Sequence, residues 1–162
     1  MKAIFVALAT LTASPAIAGT TLWQNVEEGM TVDQVRALYP AAVQHRDRLD
    51  IRDYRPLPTC PSTVRVMFEG GRVHAIQVRG AHSVLGLCAS DIELALRARY
   101  GEPVDRDYEA PTLLTSEERQ YIWVNGGVVM RLRVVNENQW IMEYASLARL
   151  ERERQERAGV GL

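Results

Sequence analysis

Apolar positions between residues 30 and 39 recur at helical spacing: Val35, Leu38 and Tyr39 share a face, Thr31 stands where an N-cap belongs and Asp33 lies in the first turn. Pro40 ends that segment, because it cannot donate to the preceding turn. The pattern then becomes β-like. Residues 64–68 and 72–79 are β-rich runs separated by Glu69-Gly70-Gly71, whose glycines supply the positive φ of a tight hairpin. Helical spacing returns from Ser90 to Tyr100, with Ile92, Leu96 and Tyr100 four apart, Ser90 as cap, Asp91 and Glu93 at the positive end of the dipole, and Gly101 and Pro103 as stops. A second hairpin, 120–124 and 128–135, turns at Asn125-Gly126-Gly127, and residues 139–144 add a third strand. Beyond it, residues 146–157 read as a helix that can pack only through Leu147 and Leu150. The rest is polar, with Arg149, Glu153 and Arg157 four apart, and residues 158–162 read as a disordered tail.

A helix followed by a Gly-Gly hairpin therefore occurs twice. Tyr39 and Tyr100 lie 61 positions apart, and Gly70-Gly71 and Gly126-Gly127 lie 56 apart. These offsets point to a duplication, although any α+β domain with two such hairpins would show the same order. The expected fold is α+β: two related helix-plus-antiparallel-sheet units, about 19–80 and 88–145, forming one compact domain with helices packed on one sheet face, followed by a charged C-terminal helix and tail, 146–162.

The N-terminus changes the picture of where this domain works. Met1-Lys2 gives a short positive start, residues 3–11 an uncharged apolar run, and Ala16-Ile17-Ala18 a small-residue cleavage site. Residues 1–18 read as a signal peptide, and the apolar run is about half the ~20 residues a spanning helix requires. Gly19 stands where a lipoprotein would carry its anchor cysteine, so no lipid anchor is expected. The destination is the periplasm or the exterior. In such an oxidising compartment Cys60 and Cys88 read as a disulfide, and closing a loop of about 28 residues contributes roughly 3–4 kcal/mol in the chain-entropy model. The spacing is wrong for a Cys-x-x-Cys redox site, and no nearby ligands complete a zinc site.

Formal net charge is −1, and Lys2 is the only lysine among 19 basic residues. The arginines alternate with acids, as in Arg46-Asp47-Arg48-Leu49-Asp50, rather than forming the concentrated basic face that nucleic acid requires.

Gly29-Met30-Thr31-x-x-x-Val35-x-x-Leu38 resembles the helix-start signature of the SmpA/OmlA (BamE-like) envelope proteins, and Leu96 with Tyr100-Gly101-Glu102-Pro103 resembles that family's helix-ending Leu-Gly-x-Pro. Two such units in one chain are similar to the tandem architecture of the β-lactamase inhibitory proteins, whose halves form a sheet covered by helices on one face. The resemblance implies a non-catalytic module that binds other proteins at or near the envelope. The chain departs from the pattern at Tyr39-Pro40, where Gly-x-Pro would stand, and its second half lacks Gly-Met-Thr.

Candidate chemistry is sparse. There is no Gly-x-Ser-x-Gly elbow and no Ser-x-x-Lys, and His45, His74 and His82 never take metal-ligand spacing, so no catalytic residue, metal or cofactor is expected. The acid pairs Glu117-Glu118 and Asp105/Asp107 leave a small wall-glycan hydrolase as an alternative, and a structural or ligand-binding periplasmic protein as another. Strand alternation puts Tyr121, Trp123, Met130, Leu132 and Val134 on one face, and Trp140, Met142 and Tyr144 on one face of the next strand. That wall is either core beneath the helices or, where exposed, a protein-binding surface centred on Tyr121, Trp123, Trp140 and Tyr144. Its opposite side carries Ile122, Arg131, Arg133 and Glu143, a solvated sheet face or a polar interface. The expected function is that of an exported, non-catalytic protein-binding or envelope-associated module.

Overall fold

A computed structural model describes residues 19–80, 87–109, 118–135 and 139–159; the signal-peptide reading of residues 1–18 and the position of His82 lie outside them. The chain is mainly β. Among the described residues there are ten strands and three helices, and eight of the strands form one antiparallel sheet. This corrects the expected α+β arrangement of two helix-plus-sheet units. The strands are longer and more numerous than the hairpin signals indicated, and the last strand of each half pairs with that of the other, so neither half closes a sheet of its own.

The chain opens with a two-stranded ribbon, β1 (Thr21–Trp23) and β2 (Val26–Glu27), and then α1 (Val32–Leu38). Thr31 caps α1 in a capping box: its hydroxyl accepts from Gln34 N while the Gln34 side chain accepts from Thr31 N. Val35 is fully buried, but Leu38, expected on the same face, is 42% exposed. Backbone bonds from Gly29 N to Val73 O and from Val73 N to Met30 O, both 2.8 Å, hang the start of α1 from the sheet.

Four strands follow: β3 (Val43–Gln44), β4 (Arg48–Leu57), β5 (Cys60–Glu69) and β6 (Arg72–Gly80). After α2 (Leu87–Tyr100) come β7 (Asp105–Glu109), β8 (Glu118–Asn125), β9 (Val128–Val135) and β10 (Gln139–Ser146). The order across the sheet is β3-β4-β5-β6-β10-β9-β8-β7. β6 and β10 meet at its centre, with Ile141 opposite Arg79 and Tyr144 opposite Ile76. Aligned on their Gly-Gly turns, β5–β6 correspond to β8–β9, whereas the mirror order of the sheet sets β6 against β10.

α2 starts at Leu87, three residues before the expected cap, so Ser90 lies inside its first turn. Ala89, Ile92 and Leu96 are buried in the same core as Val64, Val66, Val78, Met142 and Trp140. The helix ends in the left-handed Gly101 (φ +80°), whose carbonyl accepts a 2.9 Å hydrogen bond from Trp123 Nε1. A disulfide between Cys60 and Cys88, Cα atoms 5.6 Å apart, ties the start of β5 to the first turn of α2. α3 (Leu147–Gly159) runs two residues beyond its expected end. It is held at its start by Ser146, whose hydroxyl accepts from Arg149 N at 3.2 Å, and by ion pairs from Arg149 to Glu69 (3.0 Å) and Arg152 to Glu28 (3.6 Å). No helix among the described residues is long and apolar enough to cross a membrane.

Candidate functional site

The aromatic wall read from the sequence forms in the register that alternation implies. Trp123 pairs with Met130, Tyr121 with Leu132, and across β9 and β10 Leu132 pairs with Met142 and Val134 with Trp140. This face meets α2, and the placement corrects the surface reading: Trp123 is 1% and Trp140 2% exposed, both within the core. Their large apolar area is what the helix covers. Tyr121 and Tyr144 are half-buried. Arg97 lies 5.6 Å above the Tyr121 ring, and Tyr144 lines a cavity of about 150 Å³ together with Tyr54, Tyr100, Leu57 and Trp140. Burial, with the Tyr100 and Tyr54 phenols nearby, pushes the Tyr144 hydroxyl well above the ordinary phenol range.

The opposite face carries the charge. Along one row of cross-strand neighbours run Asp50, Arg65, Gln77, Glu143, Arg131 and Ile122; along the next run Thr63, Arg79, Ile141, Arg133 and Gln120. Asp50, 8% exposed, is a hub: Arg48 Nε donates to it at 3.0 Å, His45 Nε2 lies 3.3 Å away and Arg65 Nε 3.8 Å away. Glu143 accepts from Gln77 Nε2 at 3.0 Å and faces Arg131 at 3.5 Å. Arg133 grips Glu118 with Nε and Nη2, at 2.7 and 3.1 Å.

Arg79 is different. Half-buried in the middle of the row, it has no carboxylate within ion-pair distance among the described residues, and Arg65, Arg48 and Arg133 surround it. Burial, then repulsion from those three guanidinium groups, lowers its pKa, and only Asp50 opposes the shift. Beside it opens a cleft of about 510 Å³, whose charged lining is Arg52, Asp53, Arg65 and Arg79, with Pro61, Trp140 and Ile141 as its apolar wall. Among the described residues, the buried Arg65 Nε of this lining has no hydrogen-bond acceptor. The cleft sits where β4 departs from regular pairing, between Ile51 and Leu57, and where Asp53 takes φ +60°.

Of the acids proposed for hydrolysis, only Glu118 and Asp105 have described side chains. The bidentate hydrogen bonds from Arg133 hold the Glu118 carboxyl below its ordinary pKa, the reverse of what a general acid requires. Asp105 is exposed on β7, while Glu117 and the side chain of Asp107 lie outside the described residues. His74 stands half-buried in β6, and among the described residues no three His, Cys, Asp or Glu side chains gather as a metal site. No protein-family model, curated protein or solved structure matches the chain.

Ile122, Arg131, Arg133 and Glu143, read from alternation as one face, do lie opposite the aromatic wall. Asp50, Arg65 and Arg79 were missed as members of the site, because cross-strand assembly, rather than any local motif, puts them beside one another.

Proposed function

We propose that this protein is an exported, non-catalytic binding module of the cell envelope, and that its open sheet face receives an acidic surface of a partner protein. The observation that carries the reading is Arg79. Its neighbours each have a carboxylate, whereas Arg79, together with the exposed Arg52, leaves uncancelled positive charge at the centre of a broad sheet face. Complementary charge of this kind steers a partner and fixes its register. The Cys60–Cys88 bridge is compatible with an oxidising compartment, and the SmpA/OmlA-like and β-lactamase inhibitory protein-like features of the sequence favour protein binding over catalysis.

The export half of the reading is tested by expression from Met1: the protein is expected in the periplasmic fraction with Gly19 as its first residue. The binding half is tested by affinity capture from envelope extract, with wild type beside the Arg52→Glu, Arg79→Glu variant. Support comes from an acidic protein that wild type retains, releases as salt rises and binds again once purified, and that the variant fails to hold. Capture of the same proteins by both forms, or of none by either, refutes the reading.

A further inference from the structure

The cleft beside Arg79 carries more than a general affinity for acidic surfaces. Three guanidinium groups line it, Arg52, Arg65 and Arg79, against the single carboxylate of Asp53. Arg65 is already shared with Asp50 at 3.8 Å. Asp50 is also bonded to Arg48, which lies 3.8 Å from Asp47 as well, so Asp47, Asp50 and Asp53 stand against Arg48, Arg52, Arg65 and Arg79, and the deficit is one charge, which suits a monoanion better than a phosphate carrying nearly two. Arginine forks match the planar, two-oxygen shape of a carboxylate, and a charge-assisted bond to one is stronger than a neutral hydrogen bond. Pro61 and Ile141 add apolar contact beside those charges, and about 510 Å³ is room enough for a side chain.

We infer that this cleft is a carboxylate-binding subsite, in which Arg79 and Arg52 hold one acidic side chain of the partner while Pro61 and Ile141 flank its aliphatic stem. The inference rests on the open face being the binding surface, and it adds the group that is recognised and the place where it docks. Arg79 supplies the half-buried anchor, and Arg52 closes the cleft from the exposed edge.

Ile141 gives the site a built-in reporter. It is half-buried at the cleft beside Arg79, whereas Ile76 is fully buried in the core. The experiment follows the isoleucine methyl resonances by NMR as the oxidised protein is titrated with sodium propionate, a mimic of a glutamate side chain, at ionic strength held constant with sodium chloride. A saturable shift of the Ile141 resonances, with Ile76 unmoved, is expected. Arg79→Gln is expected to weaken the response about tenfold, the loss of one charge-assisted contact. Arg52→Gln, at an exposed position, weakens it without endangering the fold, and Arg36→Gln, on the exposed side of α1, leaves it unchanged. The assignment is overturned by Ile141 resonances that ignore propionate, by a response in Arg79→Gln and Arg52→Gln equal to that of wild type, or by inorganic phosphate binding in its place. Propionate binding with failed partner capture would refute the protein-partner reading alone; partner capture without propionate binding would refute the subsite alone.

Discussion

Replacing Gly80 with alanine adds one methyl group at a position where the backbone would tolerate it. Gly80 does not occupy the left-handed region, so the usual cost of alanine at a glycine is absent, and a shorter list of unfolded conformations would favour the variant by about 0.4–1 kcal/mol. Packing reverses the sign. A Cβ on Gly80 would collide with Nε1, Cε2 and Cδ1 of Trp140, the middle of the indole rather than a flexible end. Trp140 is 2% exposed and packed among Val78, Ile92, Leu96 and Met142, so the ring has little room to retreat. Overpacking of this kind costs about 1–3 kcal/mol, which exceeds the entropic gain. Urea unfolding followed by tryptophan fluorescence is expected to show a lower midpoint with unchanged slope, and a melting temperature lower by about 3–8 °C. The double variant Gly80→Ala, Trp140→Phe, with a narrower ring, is expected to be less destabilised than the two single costs added together. A midpoint for Gly80→Ala at or above wild type would refute the packing argument, because it would mean that the indole is free to move. By the same contact, Gly80→Ala is expected to shift the Trp140 N–H resonance without any ligand.

Asp50→Asn removes the carboxylate shared by Arg48, Arg65 and His45, and is expected to cost about 2 kcal/mol in chemical denaturation, below the 3–5 kcal/mol of a fully buried pair because Arg48 and Arg65 each keep 28% of their side-chain exposure. An Asp50→Asn midpoint equal to wild type would show that the hub contributes nothing net. Reduction of Cys60–Cys88 frees a loop of 28 residues and is expected to lower stability by about 3 kcal/mol, measured as the difference in urea midpoint with and without a thiol reductant. Tyr144 has its folded-state pKa raised by burial, so its contribution to stability is complete below the ordinary phenol pKa and is lost as pH rises through the shifted value: the unfolded chain gives up the proton first. Tyr144→Phe, which cannot ionise in either state, is expected to flatten the fall in stability above about pH 10, the ordinary phenol value, and an unchanged alkaline midpoint would contradict that assignment.

What the sequence revealed and what it hid follow one physical division. Local rules were legible: the Gly70-Gly71 and Gly126-Gly127 turns take φ of +56° and +77°, and +56° and +80°, and Thr31 closes its capping box with Gln34. Alternation sorted Trp123, Met130 and Leu132 from Ile122, Arg131 and Arg133, although it could not say which set was covered. β4 was hidden behind its charges. Arg48-Leu49-Asp50-Ile51-Arg52 alternates strictly, and the structure buries Leu49 on the core face while Asp50 collects its cations on the other. The same run reads along the sequence as interleaved charge, but sequence order is not sheet order. Positions 52, 65, 79 and 133 have no spacing in common, yet pairing of β4, β5, β6, β10 and β9 sets them side by side. A chain of net charge −1 can thus hold a positive centre, because Arg65, Arg131 and Arg133 meet acids across strands and Arg79, at the middle of the sheet, does not. The composition argument bounds the mean field; register decides where the field is left uncancelled, and a binding site needs only the second.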